Sequence, residues 1–345
     1  MNFNPQNILI INFGQLGDVV LSLPALRAVR ERFPRAKITA LVGKASAEII
    51  EITGFVDEKI AVDRVKLRDS GKVWSIKEIL KLVKEVRRRK FDFIIDLHSL
   101  YETNLLGFVS GAKQRLYINR ENRSLNFLAN FQPKPPLENK KLHLTDHYLN
   151  VLKPLGVENT KRSIKIFPPD SDIETVDNLL QKQGFQTKQL VGIFPGAGHP
   201  SRRWSLEKFA ALAEILSRDV RLQTIVFLGP EETELRSEVE EKFPAETFIV
   251  DRLTLPQFAA ALSRLRVLIS NDTGAMHLGA VSGTSIVLIL DERAPTTYLP
   301  LTEKLLVVQS GTLDEISVEE ILQAAQTFLA DDSFIILRKG QTRNA

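Results

Sequence analysis

The chain has no cysteine, only two methionines and two tryptophans, and five histidines in 345 residues. Without cysteine, disulfides, thiolate zinc sites and cysteine nucleophiles are excluded. Histidine is too sparse for an imidazole-rich metal centre. Only His143 and His147, in His143-Leu-Thr-Asp-His147, have ligand-like spacing, and Leu144 stands where a zinc-protease motif carries its glutamate. A surface or packing role is therefore expected for this pair, with no metal. No stretch approaches the roughly 18 uninterrupted apolar residues of a bilayer span. The segment Met1 to Gln6 has no basic residue, and the apolar core Ile8 to Ile11 is too short for a secretory signal, so a cytoplasmic location is expected. Charge of one sign is also lacking. The 46 basic and 42 acidic residues leave a net charge of +4, which does not indicate nucleic-acid binding.

What is present suits two globular domains of roughly 150 residues each. The chain is 43% hydrophobic, and 18 glycines with 16 prolines give no sign of disorder. Short apolar runs alternate with amphipathic stretches throughout. Ile8 to Phe13 reads as a central parallel strand, followed by a helix from Asp18 to Phe33 that Pro24 either kinks or delays to Leu23. Lys37 to Val42, Lys59 to Val65, Phe91 to Asp96 and Ala112 to Ile118 continue as strands, with a long helix from Val73 to Lys90 and a polar loop before it. The pattern restarts at Leu190 to Phe194 and runs through strands near 223–228, 248, 266–270 and 285–290. It closes on a helix from Ser317, with Glu320 placed for a capping box. The expected organisation is α/β: a first Rossmann-like domain over 1–165, a hinge over 166–188, and a second over 189–330. The last helix is free to cross back, and a polar tail covers 331–345. Both domains read as doubly wound and facing each other across a cleft.

Four turns stand where doubly wound sheets place their chemistry. After the first strand comes Gly14-x-x-Gly17-Asp18, which lacks the glycine pair of a dinucleotide fingerprint. Asp18 reads either as a helix N-cap or as a general base for a hydroxyl. Pro195-Gly-Ala197-Gly198-His-Pro-Ser-Arg202-Arg203-Trp204 combines small residues, which allow close backbone approach, with guanidinium groups suited to phosphate oxygens. Leu228-Gly-Pro-Glu-Glu232 offers an acidic group either to a ribose or to the first turn of a helix. Asn271-Asp272-Thr273-Gly274-Ala-Met-His277 runs from a buried strand straight into a small-residue helix. Its free first-turn N–H groups make a seat for a diphosphate, with Asp272 a candidate cap and His277 beside it.

Taken in order, these motifs resemble the bacterial lipopolysaccharide heptosyltransferases, glycosyltransferase family nine. The similarity extends from about residue 7 to 330. It is carried by Gly17-Asp18-Val-Val-x-x-Leu-Pro24-Ala-Leu, Pro195-Gly-Ala, Arg203-Trp204, Leu228-Gly-Pro-Glu-Glu232 and Asp272-Thr-Gly-x-x-His277. The resemblance implies a GT-B fold, with acceptor on the first domain and nucleotide-sugar donor on the second. It further implies inversion at the anomeric carbon without a protein-bound metal. Asp18 would be the catalytic base. Ala197, Gly198, Arg202, Arg203, Glu232, Asp272, Thr273, Gly274 and His277 would form the donor side, with Arg202 on the diphosphate and Glu232 on the ribose. Gly17, Lys66, Arg68 and His98 would serve the acceptor. The chain departs from the family pattern at Asp96-Leu-His-Ser-Leu-Tyr-Glu102, at Leu290-Asp-Glu-Arg-Ala-Pro-Thr-Thr297 and at Ala197-Gly198. The first departure bears on the acceptor and the second on the donor sugar.

The leading expectation is a transferase moving a sugar from an ADP-heptose-like donor to a lipopolysaccharide or related surface-glycan acceptor, with no tightly bound cofactor. A nucleotide-sugar epimerase of the same fold and a non-catalytic nucleotide- or glycan-binding protein are the alternatives. Contact with the anionic inner membrane surface is expected to be peripheral and charge-driven, through Lys66, Arg68 and Arg87 to Lys90. The apolar side chains Val73, Ile76, Ile79, Leu80 and Val83 are expected to be used against the sheet.

Overall fold

A computed structural model describes residues 3–158 and 160–330. The chain divides into two compact units. The first runs to Ile166 and takes in Thr296–Leu299, and the second comprises Phe167–Pro295 and the chain from Pro300 on. The expected tail over 331–345 lies outside the described residues.

In the first unit, strands β1 (Asn7–Asn12), β2 (Lys37–Gly43), β3 (Glu58–Val62), β4 (Phe93–Asp96) and β5 (Gln114–Tyr117) form one parallel sheet in the order β3-β2-β1-β4-β5. The helices are α1 (Leu16–Arg32), α2 (Ala47–Glu51), α3 (Arg64–Asp69), α4 (Lys72–Arg88), α5 (Tyr101–Val109) and α6 (Leu144–Val151). Central β1 is covered on both faces, so Ile8, Leu9, Ile10 and Ile11 are all buried and the strand reads as a continuous apolar run. Pro24 lies inside α1 without ending it. The helix begins at Leu16, and the Thr145 hydroxyl from α6 donates to the Leu21 carbonyl at 2.8 Å, close to the amide position that proline leaves empty.

Three readings of this unit need correction. The polar loop expected before α4 is in part the helix α3, because Asp63 caps it by accepting from the Lys66 N–H at 3.0 Å. Helix α5 was not expected. Its Gly107 has no room for a side chain, since a Cβ there would stand 2.3 Å from the Tyr117 hydroxyl. Finally, α4 does not spend its apolar residues on the sheet. Val86 is its buried residue and Leu82 and Val83 pack against the core, whereas Val73, Ile76, Ile79 and Leu80 are exposed.

The second unit has strands β6 (Gln189–Phe194), β7 (Leu222–Phe227), β8 (Phe248–Val250), β9 (Val267–Asn271), β10 (Ser285–Asp291) and β11 (Leu305–Ser310), all parallel, in the order β11-β10-β9-β6-β7-β8. Its helices are α7 (Asp170–Lys182), α8 (Leu206–Ser217), α9 (Arg236–Lys242), α10 (Leu255–Arg264), α11 (Gly274–Ser282) and α12 (Val318–Leu329). The stretch expected as a hinge is mostly α7, which belongs to this unit. Val176 is buried, and the Arg264 guanidinium grips Asp177 with contacts of 2.7 and 2.8 Å. Nor does the last helix leave the unit. Ile321 and Ala325 of α12 lie in the same apolar cluster as Phe209, Ile269 and Ile289. Its start follows the expected box, with the Ser317 hydroxyl accepting from Glu320 N–H at 3.2 Å and the Glu320 carboxylate accepting from Ser317 N–H at 2.7 Å.

Candidate functional site

In each sheet the crossover direction reverses once, and a parallel sheet opens a binding crevice at the carboxyl ends of the two strands flanking that reversal. In the first unit those strands are β1 and β4, and in the second they are β6 and β9. Three of the turns singled out in the sequence leave β1, β6 and β9, the Asp96–Glu102 segment leaves β4, and the Glu232 turn follows β7, the neighbour of β6.

Beyond β1, Gly14 makes the turn into α1, where an added Cβ would stand 2.4 Å from the Asp18 Cβ. Asp18 occupies the third position of the helix rather than the N-cap, which is Gln15. Its Oδ2 accepts from the Gln15 N–H at 2.9 Å, so part of the capping reading holds. Burial raises the Asp18 carboxyl above its ordinary value, while the Gln15 N–H and the Arg64 charge act in the other direction. Gly17, half-buried, follows Leu16 in the first turn. Tyr148 of α6 is buried close by, its phenol raised by burial and by the Asp18 charge.

Beyond β4, Asp96 is fully buried and ties down its own turn by accepting from Ser99 N–H at 2.7 Å, His98 N–H at 3.0 Å and the Asn104 amide at 2.8 Å. Burial lifts its carboxyl to about 6 against those bonds. The His98 ring is set edge-on to Phe13 at 6.1 Å, with Nε2 buried and without a hydrogen-bond partner. Burial lowers its imidazole to about 4, assisted by the Arg64 and Arg120 charges and opposed by Glu102. Arg64 connects the two turns: its guanidinium donates to the Phe13 carbonyl and lies 5.9 Å from the Phe13 ring. The expected acceptor cations are elsewhere. Lys66 sits over the Trp74 ring at 5.3 Å, and Arg68 is paired with its neighbour Asp69 at 2.7 Å. The helix that begins at Arg64 places its first residue, not its third or fifth, at the strand ends.

In the second unit, the loop after β6 and the turn after β9 are joined by Asn271. This fully buried amide donates to the Pro195 carbonyl at 2.8 Å and accepts from the Trp204 N–H at 3.0 Å. The sequence reading assigned it no role, since an Asn at a strand end shows its partner only once the fold is known. Trp204 is packing: buried, edge-on to Phe209 at 4.8 Å, with its indole N–H on the Ile316 carbonyl at 3.0 Å. The close approach expected at Ala197 and Gly198 is at Gly196. A Cβ on Gly196 would stand 2.3 Å from a Glu232 oxygen, whereas one on Gly198 would meet open space, and Ala197 is buried.

Glu232 lies buried beneath that loop and accepts from the Gly229 N–H at 3.1 Å. Burial raises its carboxyl, helped by Glu231 and opposed by Gly229 N–H and the Arg203 charge. The two arginines thus face different neighbours. Arg203 lies by Glu232 with its Nε buried and unbonded, while Arg202 is 63% exposed with a nitrogen 3.7 Å from Asp272. Asp272, raised by burial, does not cap α11. The cap position belongs to Thr273, whose side chain makes no capping bond, so the first amides from Gly274 are left to a ligand or solvent. His277 is buried in the opening turn of the same helix.

The His143 and His147 rings are committed to the backbone. His143 caps α6 by accepting from Thr145 N–H at 3.2 Å and bonds the Leu299 carbonyl at 2.8 Å, and His147 bonds the Asn139 carbonyl. Among the described residues no three His, Asp or Glu gather in a metal-holding cluster, and no helix is long and apolar enough to cross a membrane.

Comparison with known proteins agrees with this arrangement. Residues 79–325 match the model for glycosyltransferase family 9 (heptosyltransferase). The lipopolysaccharide core heptosyltransferase OpsX of Haemophilus influenzae is 22% identical over 82% of this chain and 78% of its own length. A family 9 glycosyl transferase structure from Veillonella parvula superposes with a TM-score of 0.84 and 27% identity, covering 96% of this chain and 99% of that one. The ADP-heptose lps heptosyltransferase II of E. coli follows at 0.78 and 19%, covering 94% and 99%, and shares the fold. With two parallel-sheet α/β domains of the GT-B type and a family match over most of its length, this chain belongs to glycosyltransferase family 9.

Proposed function

We propose that the chain is an inverting glycosyltransferase that moves a sugar from an ADP-heptose-like donor to a lipopolysaccharide or related glycolipid acceptor. The observation that carries this reading is Asp18, a carboxylate raised by burial and aimed by the Gln15 N–H at the switch point of the first sheet. Such a group holds the proton of an attacking hydroxyl more readily than an exposed carboxylate would. The acceptor oxygen attacks the anomeric carbon as Asp18 takes its proton, and the bond to the diphosphate breaks with its electron pair staying on phosphate oxygen. The uncapped amides from Gly274 and the exposed Arg202 stabilise that charge. Glu232, fixed between Gly196 and Gly229, supplies a carboxylate for the ribose, with the Arg203 charge nearby. Relatives named as lipopolysaccharide heptosyltransferases support the donor and acceptor class. His98, whose buried Nε2 has no hydrogen-bond partner, and Arg64 form the acceptor side together with Gly17, whereas Lys66 and Arg68 have no part in it. The membrane is met from its cytoplasmic face by peripheral association.

Asp18→Asn keeps an acceptor for the Gln15 N–H but removes the base. Turnover should fall roughly 10²-fold or more, with donor affinity by calorimetry and melting temperature nearly unchanged. Near-normal turnover would reduce Asp18 to a helix cap. Product formed from the nucleotide-sugar alone, with no acceptor present, would favour an epimerase instead.

A further inference from the structure

The outer surface of the first unit carries an apolar face that the sheet does not use. On α4, Val73, Ile76 and Leu80 fall at helical spacing on one side and are 71%, 57% and 61% exposed. The neighbouring α5 adds Tyr101, Leu105 and Phe108, also exposed and also at helical spacing. Leu82 and Val86 of α4 and Leu106 of α5 turn inward to one common apolar cluster, so the two helices lie on the same side of the sheet with their outward stripes on one surface. An unpaired apolar surface of this extent marks an interaction site. Its surroundings select the partner. α4 carries six basic side chains and two acidic ones, and Lys77, Lys81 and Lys84 follow the apolar stripe around the helix. Lysine is depleted at protein–protein contacts, whereas an apolar stripe bordered by lysine and arginine suits the headgroup region of an anionic bilayer.

We infer that the α4–α5 face is a lipid-docking surface, in which Ile76, Leu80 and Leu105 enter the acyl boundary of an anionic membrane and the lysines of α4 bind its phosphates. This replaces an association driven by charge alone. It accords with the proposed glycolipid acceptor, but its test uses neither donor nor acceptor, so the two ideas stand or fall separately. The test is co-sedimentation of the full chain with phosphatidylcholine vesicles, with and without phosphatidylglycerol. Binding to anionic vesicles should weaken as salt rises but level off above zero, because the apolar part is not screened. The double substitution Ile76→Ser with Leu80→Ser should abolish that residual binding and lower affinity at low salt about tenfold or more, with an unchanged melting temperature since both side chains are exposed. The cysteine-free chain allows a second measurement. An environment-sensitive fluorophore on Leu80→Cys should shift to the blue with anionic vesicles, and one on Val220→Cys, exposed in the second unit, should not. Equal sedimentation of the double variant, or binding wholly lost in salt with no spectral shift, would overturn the proposal. So would a chain that ignores vesicles but forms a dimer broken by the same two substitutions, which would make the face a contact between copies.

Discussion

His98 and Asp96 are two residues apart and are displaced by burial in opposite directions on the pH scale. An ordinary imidazole titrates near 6.5, but folded His98 titrates at about 4. Above the ordinary value both folded and unfolded forms are neutral and nothing is lost. As pH falls from 6.5 towards 4 the unfolded chain takes up a proton that the folded chain refuses, and stability declines. Asp96 does the reverse. Its folded value of about 6 exceeds the ordinary 3.8, so stability declines as pH rises through that window. The two effects oppose each other between pH 4 and 6. His98→Gln removes one of them. On passing from pH 7.5 to pH 5, the variant should gain about 2 kcal/mol relative to the parent, measured by denaturant unfolding at both values. Parallel pH profiles would mean that His98 is protonated as freely in the folded chain as in the unfolded one.

Secondary elements carry the site to its place, and single side chains lock them there. Strands β6 and β9 pair directly, yet the loop leaving one and the turn leaving the other would be independent without Asn271. Asn271→Ala strands a carbonyl and an N–H in a buried setting, at roughly 1–3 kcal/mol each. The expected result is a lower melting temperature together with weaker nucleoside-diphosphate binding by calorimetry, because the amides at Gly274 and the arginines at 202 and 203 lose their common frame. A loss of stability with full nucleotide affinity would show that the two segments hold their positions separately.

At the scale of the whole molecule, the donor is the ligand best suited to reveal itself through stability. A ligand that binds only the folded chain stabilises it by about 2.7 kcal/mol at a hundred times its dissociation constant, an upward melting shift of several degrees for a protein of this size. Among ADP-, UDP-, GDP- and dTDP-linked sugars, the ADP-linked heptose should give the largest shift. A larger shift with a UDP-sugar would remove ADP-heptose as donor and leave the transferase chemistry standing. The altered 290–297 segment is where such a change of donor would originate. Its Asp291 is held well down, at about 2, by Arg293, a local pair with no counterpart in the turns described above.

Sequence by itself determined the parts of this protein that depend on neighbours along the chain. Strands β1 and β6 are buried along nearly their whole length and carry the apolar runs Ile8–Ile11 and Leu190–Phe194, and β9 opens on a shorter one, Val267–Ile269. The Ser317–Glu320 box is a contact over three residues, and the turns after β1, β6, β7 and β9 announce themselves through glycine and proline. Those features were enough to place Asp18, Glu232 and the 272–274 turn at strand ends. Only the tertiary structure decided which side chains meet there. Arg64 rather than Lys66 or Arg68 stands by Asp18, Gly196 rather than Gly198 is the tight approach, and Asn271 is the clamp, because each depends on atoms brought from distant parts of the chain. The same holds for α4. Its periodicity reports an apolar stripe, but how much of the stripe is covered depends on the width of the sheet beneath and on the neighbouring helix. Val86 is buried and Leu80 is left in solvent for that reason.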